Sequence, residues 1–178
     1  GIKTSFIYDD NIFLSKDDKK KDWISVFEPM VSIVAPFDKN RFIAEYKFSE
    51  HLYSQHRRES HPDHLARSVM EINLTDYQVK LEELYHRFTN RASIEDSYRI
   101  REQINNFRAG ISTLNENRLG FDVGYRNKIK DYLSDEIITG NMKYKDKDRM
   151  YHIVDMQLLY RFAPKTTLIA ETDLGWIR

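Results

Sequence analysis

An all-β fold, an antiparallel up-and-down transmembrane β-barrel, is what the 178-residue sequence predicts, and three observations predict it. The first is alternation. From His152 to Phe162 one alternate set is His152, Val154, Met156, Leu158, Tyr160 and Phe162, and the set between is Ile153, Asp155, Gln157, Leu159 and Arg161. A period of two with charge confined to one set is how a strand reads when one face meets something apolar and the other meets water. The second observation is length. Pro164-Lys165 interrupts the run, and a second alternation follows at once, Leu168, Ala170, Thr172, Leu174 and Trp176 against Ile169, Glu171 and Asp173. Each arm of this hairpin is about ten residues or more, whereas strands of soluble proteins have a mode of about five to six and membrane-spanning strands need about nine to eleven. The third is the rhythm of the connections. Those near residues 38, 76, 116 and 165 are short, and those near 18, 60, 97 and 141 are longer and carry the charge, as outer-membrane barrels alternate short periplasmic turns with long outer loops.

Composition narrows the classes. Lys plus Arg and Asp plus Glu are both 28, so no net field recruits nucleic acid or an anionic membrane surface. The absence of cysteine excludes a disulfide framework and thiolate metal sites. No run approaches the roughly 18 apolar residues of a transmembrane helix, and the mean hydropathy is -0.67. A barrel passes that filter because only every second residue of each span must be apolar. Aromatic residues make up 13% of the chain while Pro and Gly number 4 and 6, which suits long strands with few classical turn residues. A single domain over 1–178 is expected.

In chain order, the apolar enrichment of Ile2–Leu14 around Asp9-Asp10-Asn11 favours a strand, with the acidic pair facing a lumen or a bulge. Ser15–Asp22 is a charged loop. Trp23–Pro36 is a second strand with Phe27, Val31 and Ile33 on one face, although Pro29 inside it signals an edge or a bulge. After a turn at 37–40, Phe42, Ala44, Tyr46, Phe48 and Leu52 alternate with Ile43, Glu45, Lys47, Ser49 and His51. His56–His64 is loop-like, and a strand follows with Ala66, Ser68, Met70, Ile72 and Leu74 against Arg67, Val69, Glu71 and Asn73. Thr75-Asp76 turns the chain. Over Tyr77–Asn90 two readings compete. Leu81, Leu84, Tyr85 and Phe88 sit at the spacing of an amphipathic helix, but strands on both sides and the short turn before it favour a strand. Ser93–Gln103 is loop-like. Asn106–Leu114 is a strand, Asn115-Glu116-Asn117 a turn, and Leu119 to Ile129 a strand, after which Ser134–Asp148 is a long polar loop leading to the last hairpin. Nine strands result.

YDDNIFL at Tyr8–Leu14 followed by a polar loop, LGFDVGYRNKIKDY at 119–132 and LLYRFAPKTTLIAETDLGW at 158–176 resemble segments of the β-barrel porin 2 family of Gram-negative outer-membrane proteins. That resemblance implies a bacterial outer-membrane location, contact with outer-membrane lipid, and a role in transport, with some members associated with exopolysaccharide production and export. It carries over no catalytic residues. Bacterial single-chain barrels use even strand numbers and usually end on an aromatic residue, whereas nine strands and a Gly175-Trp176-Ile177-Arg178 end depart from both. The expectation is therefore the N-terminal part of a larger barrel, completed by strands of the same or a partner chain.

Strand parity gives the candidate site. Pore-lining residues are expected at Glu45, Lys47, Arg67, Glu71, Arg108, Asp122, Arg126, Lys128, Asp155, Arg161, Glu171 and Asp173, six of each sign, which argues against strong selectivity for either ion. Interfacial aromatics are expected at Phe42, Tyr77 and Phe162 beside short turns and at Trp23, Tyr53 and Trp176 near long ones. Tyr53, Tyr132 and Tyr151 near the outer mouth suit a neutral or weakly charged solute such as a saccharide. His56, His61, Asp63 and His64 offer imidazole and carboxylate within nine residues, yet Pro62 and the loop context favour solvation, so no metal site is expected. No GxSxG, Walker A or GxGxxG pattern occurs, and Glu82-Glu83 point to opposite sides of a strand. The sequence thus predicts no enzyme and no cofactor, an acyl-hydrolase barrel being the one enzymatic form consistent with the fold. The rivals are a structural barrel of an envelope assembly and a soluble secreted or periplasmic β-rich binding module.

Overall fold

The computed structural model describes residues 1–90, 99–113, 118–134, 137–139, 142–163 and 165–178. Among these the chain is all-β. The strands are β1 (Ile2–Asp9), β2 (Asp22–Phe37), β3 (Asn40–Tyr53), β4 (His61–Asn73), β5 (Tyr77–Thr89), β6 (Arg101–Thr113), β7 (Leu119–Tyr132), β8 (Ile137–Thr139), β9 (Met142–Lys143), β10 (Arg149–Ala163) and β11 (Thr166–Ile177). Nine of them form one antiparallel sheet in the order β1-β2-β3-β4-β5-β6-β7-β10-β11, and β8 and β9 pair as a small separate hairpin. All but β1 of the nine run 12 to 16 residues. At about 3.3 Å per residue, thirteen residues reach roughly 43 Å along the strand, enough to cross about 30 Å of hydrocarbon at a tilt near 40°.

Several expected boundaries move. The first strand stops at Asp9, and Asn11 then folds the chain inward: its Nδ2 donates to the Ser15 carbonyl at 2.8 Å and its Oδ1 accepts the Ser15 N–H at 3.0 Å. An Asx side chain that completes a turn in this way competes with continued pairing. The segment expected as a loop at His56–His64 is a 3-10 turn at Arg57–Glu59, with strand already running from His61. Pro62 sits at the second residue of that strand, opposite Glu50, where a missing donor is tolerated. Pro29 lies on an inner strand with no bulge. The β2–β3 pairing lapses at Glu28-Pro29 and resumes at Met30 in the same register, so only local ladder bonds are forfeited. Tyr77–Thr89 is a strand throughout, β6 begins at Arg101 within the segment expected as loop, and the polar stretch 134–148 contains β8, β9 and a 3-10 turn at Tyr144–Lys147. The expected turn at 115–117 and Pro164 lie outside the described residues.

The ladder registers sort the side chains into two faces. One face is apolar: Val31 and Ile33 on β2, Phe42 and Ala44 on β3, Met70 and Ile72 on β4, Leu81 on β5, Ala109 and Ile111 on β6, Val123 and Tyr125 on β7, and Met156 and Leu158 on β10. Among the strand residues, all the large apolar side chains left exposed lie on this face except Ile7, Met30, Val34, Ile169 and Ile177. The apolar band crosses the ladder rows obliquely. Ile33, inside the band on β2, shares its row through Ala44, Ser68, Glu83, Phe107 and Asn127 with His152, which stands at the band's loop-side limit on β10. A level belt drawn around tilted strands slants in this way.

The other face is charged and more sheltered. On β10, Met156, Leu158, Tyr160 and Phe162 are exposed while Asp155, Gln157, Leu159 and Arg161 are half-buried, as expected of a sheet concave on the charged side. Arg99, in the connection between β5 and β6, donates to the carbonyl of Ile12, between β1 and β2, at 3.4 Å. That contact reaches across four strands and joins long connections at the same end of the sheet. The hydrophobic core there is small: Ile12, Ile24, Val26 and Tyr53, with Phe13 against them. It is formed by the first long connection folding over the charged face.

Candidate functional site

All twelve residues expected to line a pore fall on the charged face. Parity brings them there, because each strand pairs with its neighbour without a slip from β2 through β7 to β10. Several of them enter cross-strand ion pairs, some with neighbours outside the expected set: Glu71 with Arg41 at 2.8 Å, Arg67 with Glu45 at 3.2 Å, and Lys47 with Glu28 at 3.4 Å. The tightest group is at the level of the apolar band. Arg108 Nη2 donates to Asp122 Oδ1 at 2.7 Å and to Asp155 Oδ2 at 2.6 Å, and Arg126 Nη2 lies 3.2 Å from Asp155 Oδ1. Gly110 and Gly124 face each other across β6 and β7 beneath this guanidinium. A Cβ on Gly124 would lie 2.7 Å from Arg108 Nη2 and 2.8 Å from Asp155 Oδ2, and one on Gly110 would lie 2.8 Å from Arg108 Nη1. The glycine pair therefore forms the slot in which Arg108 lies flat against the wall. Two arginines and two aspartates leave this network neutral.

At the loop end a second set of polar contacts anchors the connections. Asp22, the residue before Trp23 and fully buried, accepts hydrogen bonds from Ser54 Oγ at 2.6 Å, the Gln55 N–H at 3.0 Å and the His56 N–H at 2.8 Å, and lies 2.9 Å from His56 Nδ1. Burial opposes its charge, but the Ser54 hydroxyl, the Gln55 and His56 amides and the His56 ring outweigh burial and hold the carboxyl well below its ordinary range. Nothing in the alternation of the sequence marks Asp22 for this role. Tyr132 and Tyr151 also face the charged side, with the ammonium groups of Lys130 and Lys128 over their rings at 4.7 and 5.9 Å.

Tyr53 corrects one expectation. It belongs to the charged face, is 5% exposed, and lies under the Arg99 guanidinium at 4.8 Å, so it packs with Ile12, Ile24 and Val26 beneath the first long connection and not with the other expected aromatics. The parity of β3 places it with Ser49 and His51, which a reading based on proximity to a long loop overlooks. The other expected aromatics, Trp23, Phe42, Tyr77, Phe162 and Trp176, share the apolar face. Two histidines join them at the band's loop-side limit, His152 as its alternate set predicts and His64 from the segment expected as loop: Tyr46 Oη pairs with His64 Nδ1 at 2.8 Å, Tyr125 Oη pairs with His152 Nδ1 at 2.7 Å, and His152 stacks on Trp176.

The histidines grouped by sequence are thus separated. His56 binds Asp22 and His64 binds Tyr46 on the opposite face, while His61 and Asp63 meet His51 instead. His51 and His61 are direct cross-strand partners whose rings stack at 4.8 Å and 10°, and His51 Nε2 is 3.5 Å from Asp63 Oδ2. This grouping becomes visible only with the β3–β4 register. No family model matches the chain, and neither a curated protein nor a solved structure matches it.

Proposed function

We propose that this chain builds the wall of a porin-like β-barrel in the outer membrane of a Gram-negative cell, and that the barrel is a non-enzymatic conduit for a hydrophilic solute, a polysaccharide or oligosaccharide. One observation carries the reading: long strands in a single meander sheet expose an apolar, aromatic-bordered belt on one face and a paired, neutral charge wall on the other. A soluble module with the same sheet would leave that belt facing water, at a cost of about 25 cal/mol for every Å² of apolar surface. In lipid the belt is solvated and the backbone is satisfied within the sheet. The outermost strands β1 and β11 then need partners, from each other or from further strands of the same or a partner chain, because each unsatisfied backbone group in hydrocarbon costs several kcal/mol.

The solute class follows from the wall. Charges of both signs, mostly paired, give little net field to select an ion, and tyrosines beside lysines at the loop end offer the flat apolar faces and donors that sugars use. The resemblance to the porin 2 family points the same way. Planar-bilayer recording of the protein in detergent-free lipid tests it. Steady conductance that an added neutral oligosaccharide blocks is the expected result. Absent conductance would favour a structural barrel of an envelope assembly, and a monodisperse protein in buffer without detergent would favour a soluble binding module.

A further inference from the structure

We infer that His51, His61 and Asp63 form a binding site for a divalent transition metal of the zinc class, at the loop end of the charged face. The three side chains come from one hairpin: His51 and His61 oppose each other in the β3–β4 ladder, and Asp63 follows His61 by one strand period on the same face. One ring nitrogen of each histidine and one carboxylate oxygen of Asp63 all lie within 4.8 Å of one another. Bonds of about 2.1 Å to a tetrahedral ion place ligand atoms about 3.4 Å apart, so the set needs to close by about 1.4 Å at most.

Two of the three groups are already aimed. His61 is 5% exposed, and its Nδ1 lies 2.7 Å from the carbonyl oxygen of Glu59. A carbonyl only accepts, so Nδ1 carries the proton and Nε2 keeps its lone pair, with no hydrogen-bond partner among the described residues. Imidazoles that bind metals are oriented in this way by a backbone carbonyl behind them. Asp63 is held from the neighbouring strand, its Oδ1 accepting the Thr89 N–H at 2.9 Å, which leaves Oδ2 toward His51. The site lies above the apolar band on these strands, where the opposite face carries Glu50 and Pro62, and so faces water instead of lipid.

The donor set selects the metal. Two imidazoles and one carboxylate suit zinc, copper(II), nickel or cobalt, whereas calcium and magnesium need more oxygens and soft ions need sulfur. Three protein ligands leave at least one position open to the solvent on the charged face. Bound there, the ion bridges β3 to β4 and fixes the 3-10 turn at Arg57–Glu59 through the Glu59 carbonyl.

The test is calorimetric titration of the full chain in detergent micelles with Zn²⁺ after chelator treatment, repeated on His51→Ala, Asp63→Asn and His64→Ala. The first two replace partly exposed groups and spare buried His61, and circular dichroism of each metal-free variant checks the fold. The expected result is one zinc per chain, bound at least tenfold more weakly by His51→Ala and by Asp63→Asn, and unchanged in His64→Ala, whose ring lies on the other face. Cobalt(II) in place of zinc is expected to show the intense visible absorption of a four-coordinate site, lost in His51→Ala. No stoichiometric binding to the folded protein, or binding that both ligand variants retain, overturns the inference. The outcome does not depend on conductance, so it is independent of the conduit reading.

Discussion

Gly124 shows how a single missing methyl shapes the wall. Arg108 reaches both Asp122 and Asp155 with nothing projecting from Gly110 or Gly124 beneath it. Gly124→Ala is expected to push the guanidinium off Asp155 and, because the atoms in the way are the ends of flexible side chains, to cost about 0.5–1.5 kcal/mol, the net worth of one hydrogen bond. The midpoint of urea unfolding in micelles measures it, and an unchanged midpoint would show that Arg108 has room to move. The charged partners were legible in the sequence, because parity alone places Arg108, Asp122, Arg126 and Asp155 on one face. The slot was not, since a glycine in a strand signals a close approach without saying whose side chain makes it. Asp22 was illegible for a related reason: its partners, Ser54 to His56, come from a connection whose fold no periodicity encodes, whereas the parity of β3 already sets Tyr53 on the side of Ser49 and His51.

At the level of the element, β5 is where the two periods compete most closely. A helix over 77–90 would gather Leu81, Leu84, Tyr85 and Phe88 on one side, whereas the observed strand gives Leu81 and Tyr85 to the apolar face and Leu84 and Phe88 to the charged one. The ladders on both sides decide it, since thirteen residues of β5 pair with β6 and ten with β4, and a helix would forfeit all of those bonds. Two substitutions read the difference. Leu81→Arg puts a cation into the apolar band and is expected to cost about 2–4 kcal/mol of stability in lipid. Leu84→Glu faces Arg67 across the ladder and is expected to change stability by less than about 1 kcal/mol. Equal losses at both positions, measured by denaturant unfolding from vesicles, would contradict the face assignment. The start of β4 was misjudged from the sequence because His56–His64 is polar and contains Pro62, and polar residues on a strand that rises above the apolar band resemble a loop.

Across the whole molecule, opposite charges cancel and the two tryptophans, Trp23 and Trp176, sit on the same face at its loop-side border. Fluorescence of the membrane-inserted protein is therefore expected to be quenched by lipids brominated on their acyl chains and little affected by aqueous acrylamide. The reverse pattern would place the apolar belt in water. The order of the strands was legible from the alternating long and short connections, while the small β8–β9 hairpin within the longest of them was not. Every pairing in the large sheet joins strands that follow one another along the chain, with only that small hairpin set between β7 and β10. Such a wiring makes the hairpin the unit of inheritance. Duplication or loss of a segment encoding two strands and their short turn would widen or narrow the sheet, giving new neighbours only to the strands that flank the change and leaving each strand's apolar and charged sides as they were. A lineage built on this plan can change the breadth of its sheet without inventing a new fold.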